Sequence, residues 1–178
     1  METAHNPTRG CIIVGYPGIG KSSIAALHPS IIIDLESSNF HSADPAFVSL
    51  KPENTWEFSY VLEAEKWCKE GFMVFISSHN KVIDFLLAER SFLQNFQIFL
   101  IYPSIYLESE WVTKLRTRCL TEKTEREKNK RAWERAETHY YDDIKHLEEV
   151  GKKFDDTIEI RRMDYNLEDI IKFLRAES

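Results

Sequence analysis

The stretch GYPGIGKS, residues 15–22, combines three glycines with a lysine and a serine. It fits the pattern G-x-x-x-x-G-K-[ST], which is typical of loops that bind nucleotide phosphates (P-loops). Glycine lacks a Cβ, so such a loop can curl until its N–H groups point at phosphate oxygens, next to the positive end of the following helix. We expect Lys21 to contact the β- and γ-phosphates and the Ser22 hydroxyl to bind Mg²⁺. The predicted nucleotide-binding residues of the loop are Gly15, Pro17, Gly18, Ile19, Gly20, Lys21, Ser22 and Ser23.

A pair of carboxylates follows the second apolar run, IIID, at Asp34 and Glu36. Alternate residues of an extended chain point the same way, so both can face one cleft at the carboxyl edge of a sheet. Mg²⁺ prefers oxygen ligands, and an acceptor hydroxyl needs a hydrogen-bond acceptor or base. We predict that Asp34 serves the metal and Glu36 the acceptor. The alternative is that both carboxylates cap the next turn, at Ser37 and Ser38.

A basic segment lies at 111–135, where nine Lys or Arg residues accompany four Glu residues in a chain of net charge −6. Cations that close over a transferred phosphoryl group stabilise its charge. Arg116 and Arg118 are predicted to be catalytic, and Arg126 and Arg131 to bind the nucleotide. Because residues i and i+2 do not share a helix face, one of Arg116 and Arg118 is expected to support the fold instead.

The following stretch, 125–150, is predicted to be one long helix. Lys128 and Arg135 are interpreted as part of its solvent-facing side, with Glu partners. His139, Tyr140 and Tyr141 are interpreted as packing residues.

Residues 39–70 follow the acidic strand and are predicted to form an acceptor-binding arm. Phe40, His41, Trp56 and Tyr60 are the right type to stack on a base. Trp56 and Tyr60 also recur at helical spacing, which favours a place in the core.

The elements that position these residues are predicted from five short apolar runs rich in β-branched side chains. The runs are continuous rather than alternating, as expected of parallel strands covered on both faces. Helical segments separate them, with Asn54 and Asn166 as predicted N-caps and Gly71 closing one helix. The predicted strands are 11–14, 30–34, 72–76, 97–102 and 157–160.

Composition predicts one domain over residues 1–178, because 43% hydrophobic residues suffice for one core. The three cysteines, Cys11, Cys68 and Cys119, have no metal-binding spacing and are predicted to be reduced thiols. The chain shows neither a targeting segment nor a run long enough to cross a membrane. We therefore expect a cytoplasmic protein with no membrane partner, and nothing predicts its oligomeric state.

Two classes of P-loop protein are disfavoured. A GTPase needs D-x-x-G, which is absent, and N-K-x-D, for which NKVID at 80–84 is one residue too long. A large motor ATPase needs an acidic pair after its third strand, where this chain has Ser77, Ser78 and His79. His79 is either a substrate-binding residue or a hydrogen-bonded structural one.

Five motifs, taken in their order along the chain, resemble a family of small P-loop kinase-like proteins of bacteriophages and prophages. The motifs are GYPGIGKS, IIIDLESSNF, FISSHNKV, LIYPS and EWVTKLRTR. That family is similar in layout to nucleoside monophosphate kinases and shikimate kinases. The resemblance covers about residues 10–150. It implies a five-stranded parallel α/β sheet in the order 2-3-1-4-5, ATP as donor, Mg²⁺, and a helical lid over 111–135. The chain lacks the D-G-x-P-R motif of adenylate-kinase-like enzymes, and with it their monophosphate-binding arginine.

Three functions stay open at this point. The first is an ATP-dependent kinase of a nucleotide-type acceptor, with a (deoxy)nucleoside monophosphate ranked first. The second is a kinase of the hydroxyl of a hydroxymethyl-pyrimidine in phage DNA. The third is a protein in which ATP orders the lid for a partner, without turnover.

Overall fold

The computed structural model describes residues 10–40, 55–89, 94 and 96–177. Five of its segments form one parallel sheet. The strands are β1 (Cys11–Gly15), β2 (Ile32–Asp34), β3 (Met73–Ser77), β4 (Gln97–Pro103) and β5 (Asp156–Ile160). Their order across the sheet is β2-β3-β1-β4-β5, which confirms the predicted order 2-3-1-4-5.

The register of the strands brings their carboxyl ends to one edge. Gly15 pairs with Ser77 on one side and with Ile101 on the other. β2 is shorter than predicted, because the chain turns at Pro29–Ile31 and the N–H groups of Ile31 and Ile32 both donate to the carbonyl of His28. The edge that receives the P-loop therefore also receives the end of the acidic strand.

Six helices connect and cover the strands in the described part of the chain. They are α1 (Lys21–Leu27), α2 (Trp56–Lys69), α3 (Asn80–Ala88), α4 (Glu108–Thr121), α5 (Arg126–Gly151) and α6 (Leu167–Glu177). Short 3₁₀ turns lie at Ser37–Asn39 and Ile105–Leu107. α5 matches the long helix predicted over 125–150.

The core is centred on β1, β3 and β4, whose continuous apolar sequences are covered on both faces. All five residues of β1 are buried, as are the first four of β3. Each fully buried Val, Ile or Phe contributes about 1.5–3 kcal/mol relative to exposure. The three cysteines are free and buried, as predicted.

Helix ends follow the local sequence with one change. The amide of Glu168 donates to Asn166 Oδ1 at 2.9 Å, so the predicted cap of α6 is confirmed. Gly71, with φ of 92°, follows the end of α2 as predicted. The cap of α2 is Thr55, whose hydroxyl accepts from the amide of Phe58 at 3.3 Å. Asn54, the residue predicted for that role, lies outside the described residues.

The basic segment 111–135 folds as α4, a connection at 122–125 and the first turns of α5. The two helices pack against each other along their length, and we call them the helical hairpin. Trp111, Leu115 and Cys119 are the buried face of α4. Glu125, with φ of 61°, makes the turn into α5.

The packing interpretation of α5 is right for one residue of three. Tyr140 is buried and donates its hydroxyl to the carbonyl of Ser104 at 2.8 Å. Tyr141 and His139 are exposed instead, because they lie on the outer face of α5.

Candidate functional site

The P-loop runs from the end of β1 to the start of α1 and depends on its glycines. Gly18 and Gly20 have φ of 88° and 103°, in the left-handed region where side chains are strained. A Cβ on Gly15 would lie 2.6 Å from Ile19 Cδ1 and 2.9 Å from Lys21 Cδ. The amides of the first turn of α1 have no partner within the helix. The loop therefore has the tight, glycine-dependent conformation that the motif predicts, and phosphate binding by its N–H groups stays a prediction.

The side chains of this loop do not all face the same way. Pro17, Gly18, Gly20, Lys21, Ser22 and Ser23 line a cleft above the sheet edge. Ile19 is predicted to bind the nucleotide, but its side chain is only 1% exposed and packs in the core. The apolar side chain turns inward at the tight bend, and the predicted contact of Ile19 with the nucleotide, which the motif assigns to backbone N–H groups, stays a prediction.

Lys21 is partly buried beneath the loop. Its ammonium donates to the carbonyls of Gly15 at 2.8 Å and Tyr16 at 3.4 Å. Burial lowers the pKa of Lys21 to about 8, while the charges of Asp34 and Glu36 act in the opposite direction. A phosphate group beside this ammonium would replace the polar contacts with water that the ammonium loses on burial.

Ser22 and Asp34 meet where the first turn of α1 lies beside the end of β2. The Ser22 hydroxyl donates to Asp34 Oδ2 at 2.6 Å. The second carboxylate oxygen, Asp34 Oδ1, is buried without a hydrogen-bond partner. A hydroxyl and an orphaned carboxylate oxygen are hard ligands that fit Mg²⁺, the cation expected here.

The part of the chain that the structure describes holds no group of three or more His, Cys, Asp or Glu side chains that could bind a metal by themselves. The Ser22 and Asp34 pair therefore needs further oxygen ligands, and nucleotide phosphates next to the P-loop are of the right chemical type.

Glu36 lies on the cleft wall opposite the helical hairpin and pairs with it. Its carboxylate is 2.6 Å from the ammonium of Lys128, which also lies 3.3 Å from Glu125. The side chain of Glu36 caps nothing in the 3₁₀ turn Ser37–Asn39, so the capping alternative is wrong for it. The sequence predicts Lys128 as a solvent-facing residue with Glu partners. The Glu partners are confirmed, but the side chain lines the cleft, because the turn at Glu125 directs the start of α5 toward β2.

The arginines of the helical hairpin divide between the cleft and the outside. Arg118 and Arg131 line the cleft, and Arg118 pairs with Glu122 at 3.0 Å. The hydrogen bond from Arg118 is the main cause that lowers the pKa of Glu122. Arg116, predicted to be catalytic, instead lies over the ring of Trp133, 5.7 Å from its centroid. Arg126 is exposed and is not among the residues that line the cleft.

Arg135 lines the cleft as well, so its interpretation as part of a solvent-facing surface is incomplete. Its guanidinium makes two hydrogen bonds to Asp143, from Nε at 2.8 Å and from Nη2 at 2.5 Å. This bidentate pairing raises the pKa of Arg135 and holds the side chain along α5.

The aromatic residues after β2 belong to the core. Tyr60 donates its hydroxyl to the carbonyl of Leu35 at 2.6 Å and accepts from the amide of Ser77 at 2.8 Å. Phe40 and Trp56 pack against its ring. The core interpretation of Trp56 and Tyr60 is confirmed, since Tyr60 joins the ends of β2 and β3. His41 and the rest of residues 41–54 of the predicted arm lie outside the described residues.

His79 has a structural role and a cleft position. Its Nδ1 accepts from the amide of Lys81 at 3.3 Å, so it caps α3, and its amide donates to Ser77 Oγ at 3.2 Å. Both Ser77 and His79 line the cleft.

The cleft has a volume of about 1010 Å³, at the upper end of the range of about 300–1,000 Å³ usual for ligand pockets. One wall is the P-loop, one is the end of β2 and β3, and the third is the helical hairpin. Sequence reasoning missed part of that third wall, because only the helical spacing i, i+3, i+7 of charged residues hinted at it. The missed lining residues are Lys114, Thr117, Lys128, Asn129 and Arg135.

Comparisons with known proteins support the fold and go no further. No protein-family model matches the sequence, and no curated protein matches it significantly. The predicted phage-type origin therefore stays a prediction. Among described residues, no helix combines the length and hydrophobicity needed to span a membrane.

Solved structures are similar over almost the whole chain. The tunicamycin resistance protein of Deinococcus radiodurans matches with a TM-score of 0.57 and 16% identity, covering 96% of this chain and 95% of that one. Shikimate kinase of Bacteroides thetaiotaomicron matches with a TM-score of 0.50 and 11% identity, covering 94% and 96%. A chain of the PezAT toxin-antitoxin system of Streptococcus pneumoniae matches more weakly, with a TM-score of 0.40, 16% identity and coverage of 88% and 68%. Together with the strand order, the first two likenesses show that this chain has the P-loop kinase fold.

Proposed function

We propose that this protein is an ATP-dependent phosphotransferase. The observation that carries the proposal is the hydrogen bond of 2.6 Å between Ser22 and Asp34, with Asp34 Oδ1 left without a partner beside the buried ammonium of Lys21. A P-loop alone binds phosphate; a carboxylate aligned with its serine adds the ligand set for Mg²⁺. The name of one structural neighbour, a kinase, agrees with this chemistry.

Each wall of the cleft has a part in the proposed transfer. The loop amides and Lys21 would hold the β- and γ-phosphates, and Ser22 and Asp34 would hold Mg²⁺, which neutralises phosphate charge when bound. Arg118 and Arg131 lie on the facing helical hairpin, where they would stabilise charge on the transferred group. We propose that residues 111–135 close as a lid and exclude water from this space.

For the acceptor we propose a nucleotide-type molecule, in first place a (deoxy)nucleoside monophosphate. The arginine that monophosphate kinases carry after the third strand is missing, which argued against this acceptor on sequence alone. Lys128, Arg131 and Arg135 all line the cleft and share one face of α5. Lys128 and Arg135 are paired with Glu36 and Asp143, whereas Arg131 has no carboxylate partner among the described residues and would supply positive charge to an acceptor phosphate. In this proposal residues 39–70 contribute the acceptor arm, within a single domain.

Glu36 is the group proposed to contact the acceptor. It is about three-quarters shielded from solvent and sits at the end of β2, next to the metal-binding Asp34. Its ion pair with Lys128 orients the carboxylate toward the cleft. Where the acceptor carries a hydroxyl, Glu36 is placed to accept its hydrogen bond.

The same position of Glu36 favours a second candidate, a kinase of a hydroxymethyl-pyrimidine in DNA. Against it, the basic segment is partly neutralised by its own carboxylates, in the pairs Arg118–Glu122 and Lys130–Glu134. Polymer binding depends on free cations that release counterions from the phosphate backbone.

The test is transfer of label from [γ-³²P]ATP with Mg²⁺ to a panel of common nucleoside monophosphates, plain DNA and hydroxymethyl-pyrimidine DNA, with Lys21→Ala as the control. Label on a mononucleotide, absent with Lys21→Ala, is the expected result. Label on hydroxymethyl-pyrimidine DNA alone would mean that the acceptor is this modified base and not a nucleoside monophosphate. ATP binding without label on any acceptor would contradict the kinase proposal in favour of a nucleotide-gated interaction protein.

A further inference from the structure

The outer side of the P-loop is held by an aromatic residue from the helical hairpin. Trp111 is fully buried, and its indole N–H donates to the carbonyl of Pro17 at 2.9 Å, across 94 positions of sequence. Leu115, one turn further along α4, lies so close to Gly18 that a Cβ on the glycine would be 2.9 Å from its Cδ2.

A second aromatic residue holds the same loop from the segment between β5 and α6. The hydroxyl of Tyr165 lies 2.8 Å from the carbonyl of Ile19 and 3.4 Å from that of Gly18. The rings of Tyr165 and Trp111 stack, with centroids 6.0 Å apart and planes 20° from parallel.

Lys114 completes the arrangement. Its ammonium lies 4.6 Å from the centroid of Trp111 and 5.0 Å from that of Tyr165, and it donates to Tyr165 Oη at 3.0 Å. An ammonium has no acceptor capacity, so this bond leaves the Tyr165 proton free to be donated to the Ile19 carbonyl. Within the described ranges Lys114 has no carboxylate partner, and burial lowers its pKa.

These contacts decide where the loop amides point. In a planar trans peptide the C=O and the N–H of one unit point in opposite directions. A Pro17 carbonyl bound to Trp111 therefore turns the amide of Gly18 away from the hairpin core. An Ile19 carbonyl bound to Tyr165 does the same for the amide of Gly20. Both glycines have positive φ, so without these bonds each peptide is free to rotate.

We propose that Trp111, Tyr165 and Lys114 form a clamp that holds the P-loop in its phosphate-binding conformation. Trp111 and Tyr165 act as positioning residues, through the loop and not on the nucleotide, and Lys114, which also lines the cleft, supports the ring of Tyr165. The inference rests on the proposed function for its effect on ATP, but the orientation of the loop can be measured without ATP. When the clamp is weakened, only a fraction of the molecules presents the binding conformation, and the apparent affinity falls by that fraction.

The sharpest test is Tyr165→Phe, which keeps the ring and removes the donated hydroxyl. Losing one such hydrogen bond shifts the equilibrium between the loop conformations by about three- to ten-fold, which is also the largest weakening of Mg-ATP binding that it can cause. Tyr141→Phe is the matched control, because Tyr141 is exposed and 57% accessible on the outer face of α5. We expect calorimetric titration to show the weakening for Tyr165→Phe and less than about a two-fold change for the control.

A second pair of variants addresses Trp111. Trp111→Phe removes the indole N–H that holds Pro17, whereas Trp133→Phe removes an indole N–H that has no partner. Only the first is expected to weaken binding. Because Trp111→Phe also opens space in the core, Tyr165→Phe stays the decisive variant.

Amide hydrogen exchange of the peptide covering residues 16–21 separates the clamp from the proposed function. Tyr165→Phe is expected to speed exchange there in the absence of nucleotide, with the control unchanged. If wild-type protein binds no ATP, the proposed function fails, and this exchange measurement still decides the clamp. A lower melting temperature with unchanged exchange and unchanged ATP affinity would overturn the clamp and leave a structural role.

Discussion

Ser22 and Asp34 are twelve positions apart in the sequence and joined by a hydrogen bond of 2.6 Å. The serine lies in the first turn of α1 and the aspartate closes β2, so two neighbouring elements meet at one point below the P-loop. Asp34 Oδ1 is left buried and without a partner. Because an unpaired buried oxygen is costly, this arrangement favours a cation there.

Replacing Asp34 by Asn should raise the Mg²⁺ concentration that ATP binding requires. Removal of the negative charge lowers metal affinity, by about 10- to 100-fold on the scale of changes to metal-site ligation. The measurement is the Mg²⁺ concentration needed for half-maximal ATP binding. Asp84→Asn, at an exposed position of α3, is the matched control. Equal Mg²⁺ requirements for both variants and the wild type would contradict the metal site.

Binding of ATP should depend on pH through Lys21, whose pKa is about 8 without ligand. A phosphate partner favours the charged ammonium, so binding takes up a proton above this pH. We expect affinity to fall by up to about tenfold per pH unit above pH 8. Titration calorimetry in two buffers of different ionisation enthalpy reports the proton uptake. The pH dependence in this range should vanish in Lys21→Met; if it persists there, another group is responsible.

The same pKa predicts the pH dependence of stability. The unfolded chain keeps the Lys21 proton up to its ordinary pKa of 10.5, whereas the nucleotide-free folded protein releases it near 8. The unfolded state binds more protons between these values, so the free energy of unfolding contributed by Lys21 rises with pH there. We therefore expect the free energy of unfolding of the wild type, relative to that of Lys21→Met, to be larger at pH 9.5 than at pH 7.5. Denaturant titrations of both proteins at the two pH values measure this difference.

Arg118 and Arg116 should behave differently although they are two positions apart. Arg118 faces the cleft, and its replacement by Gln should lower kcat by about 100-fold, as for other groups that stabilise transition-state charge. Arg116 lies over Trp133, so Arg116→Gln should leave kcat unchanged. Steady-state kinetics of both variants checks this. Equal losses of kcat in the two variants would mean that α4 is rotated when the helical hairpin closes, so that both arginines face the nucleotide.

Glu36→Gln should affect the acceptor more than the donor. The carboxylate lines the cleft and is paired with Lys128 of the helical hairpin. We expect kcat to fall by about 100-fold or more with acceptor present, while ATP affinity changes less than about two-fold. Glu63→Gln, on the surface of α2 beside Lys66, is the control. A loss of ATP binding in Glu36→Gln would assign Glu36 to the donor site.

Much of the fold could be predicted because its information is local. Continuous apolar runs such as CIIV indicate strands covered on both faces, and β1 is buried at all five positions. The P-loop could be predicted for the same reason, because its backbone conformation requires glycine at fixed positions within a short stretch of sequence. The pairing of Ser22 with Asp34 could be expected because both follow from the carboxyl edge of a parallel sheet.

The third wall of the cleft could not be predicted in the same way. Whether Lys128 faces solvent or Glu36 depends on the direction in which α5 leaves the turn at Glu125, which is a tertiary property. The spacing of Arg116 and Arg118 predicts that they diverge, but not which of them faces the cleft. The contact of Trp111 with Pro17 spans 94 positions and leaves no local pattern.

The measurement that tests the central claim most directly is ³¹P NMR of one reaction containing the protein, Mg-ATP and nucleoside monophosphates. The account predicts loss of the γ-phosphate signal, formation of ADP, and an equal amount of a new nucleoside diphosphate, all absent with Lys21→Ala. A new phosphomonoester signal would keep phosphoryl transfer and change the acceptor to a hydroxyl. ATP that stays intact while bound, or that yields inorganic phosphate alone, would contradict the claim that this protein is a kinase.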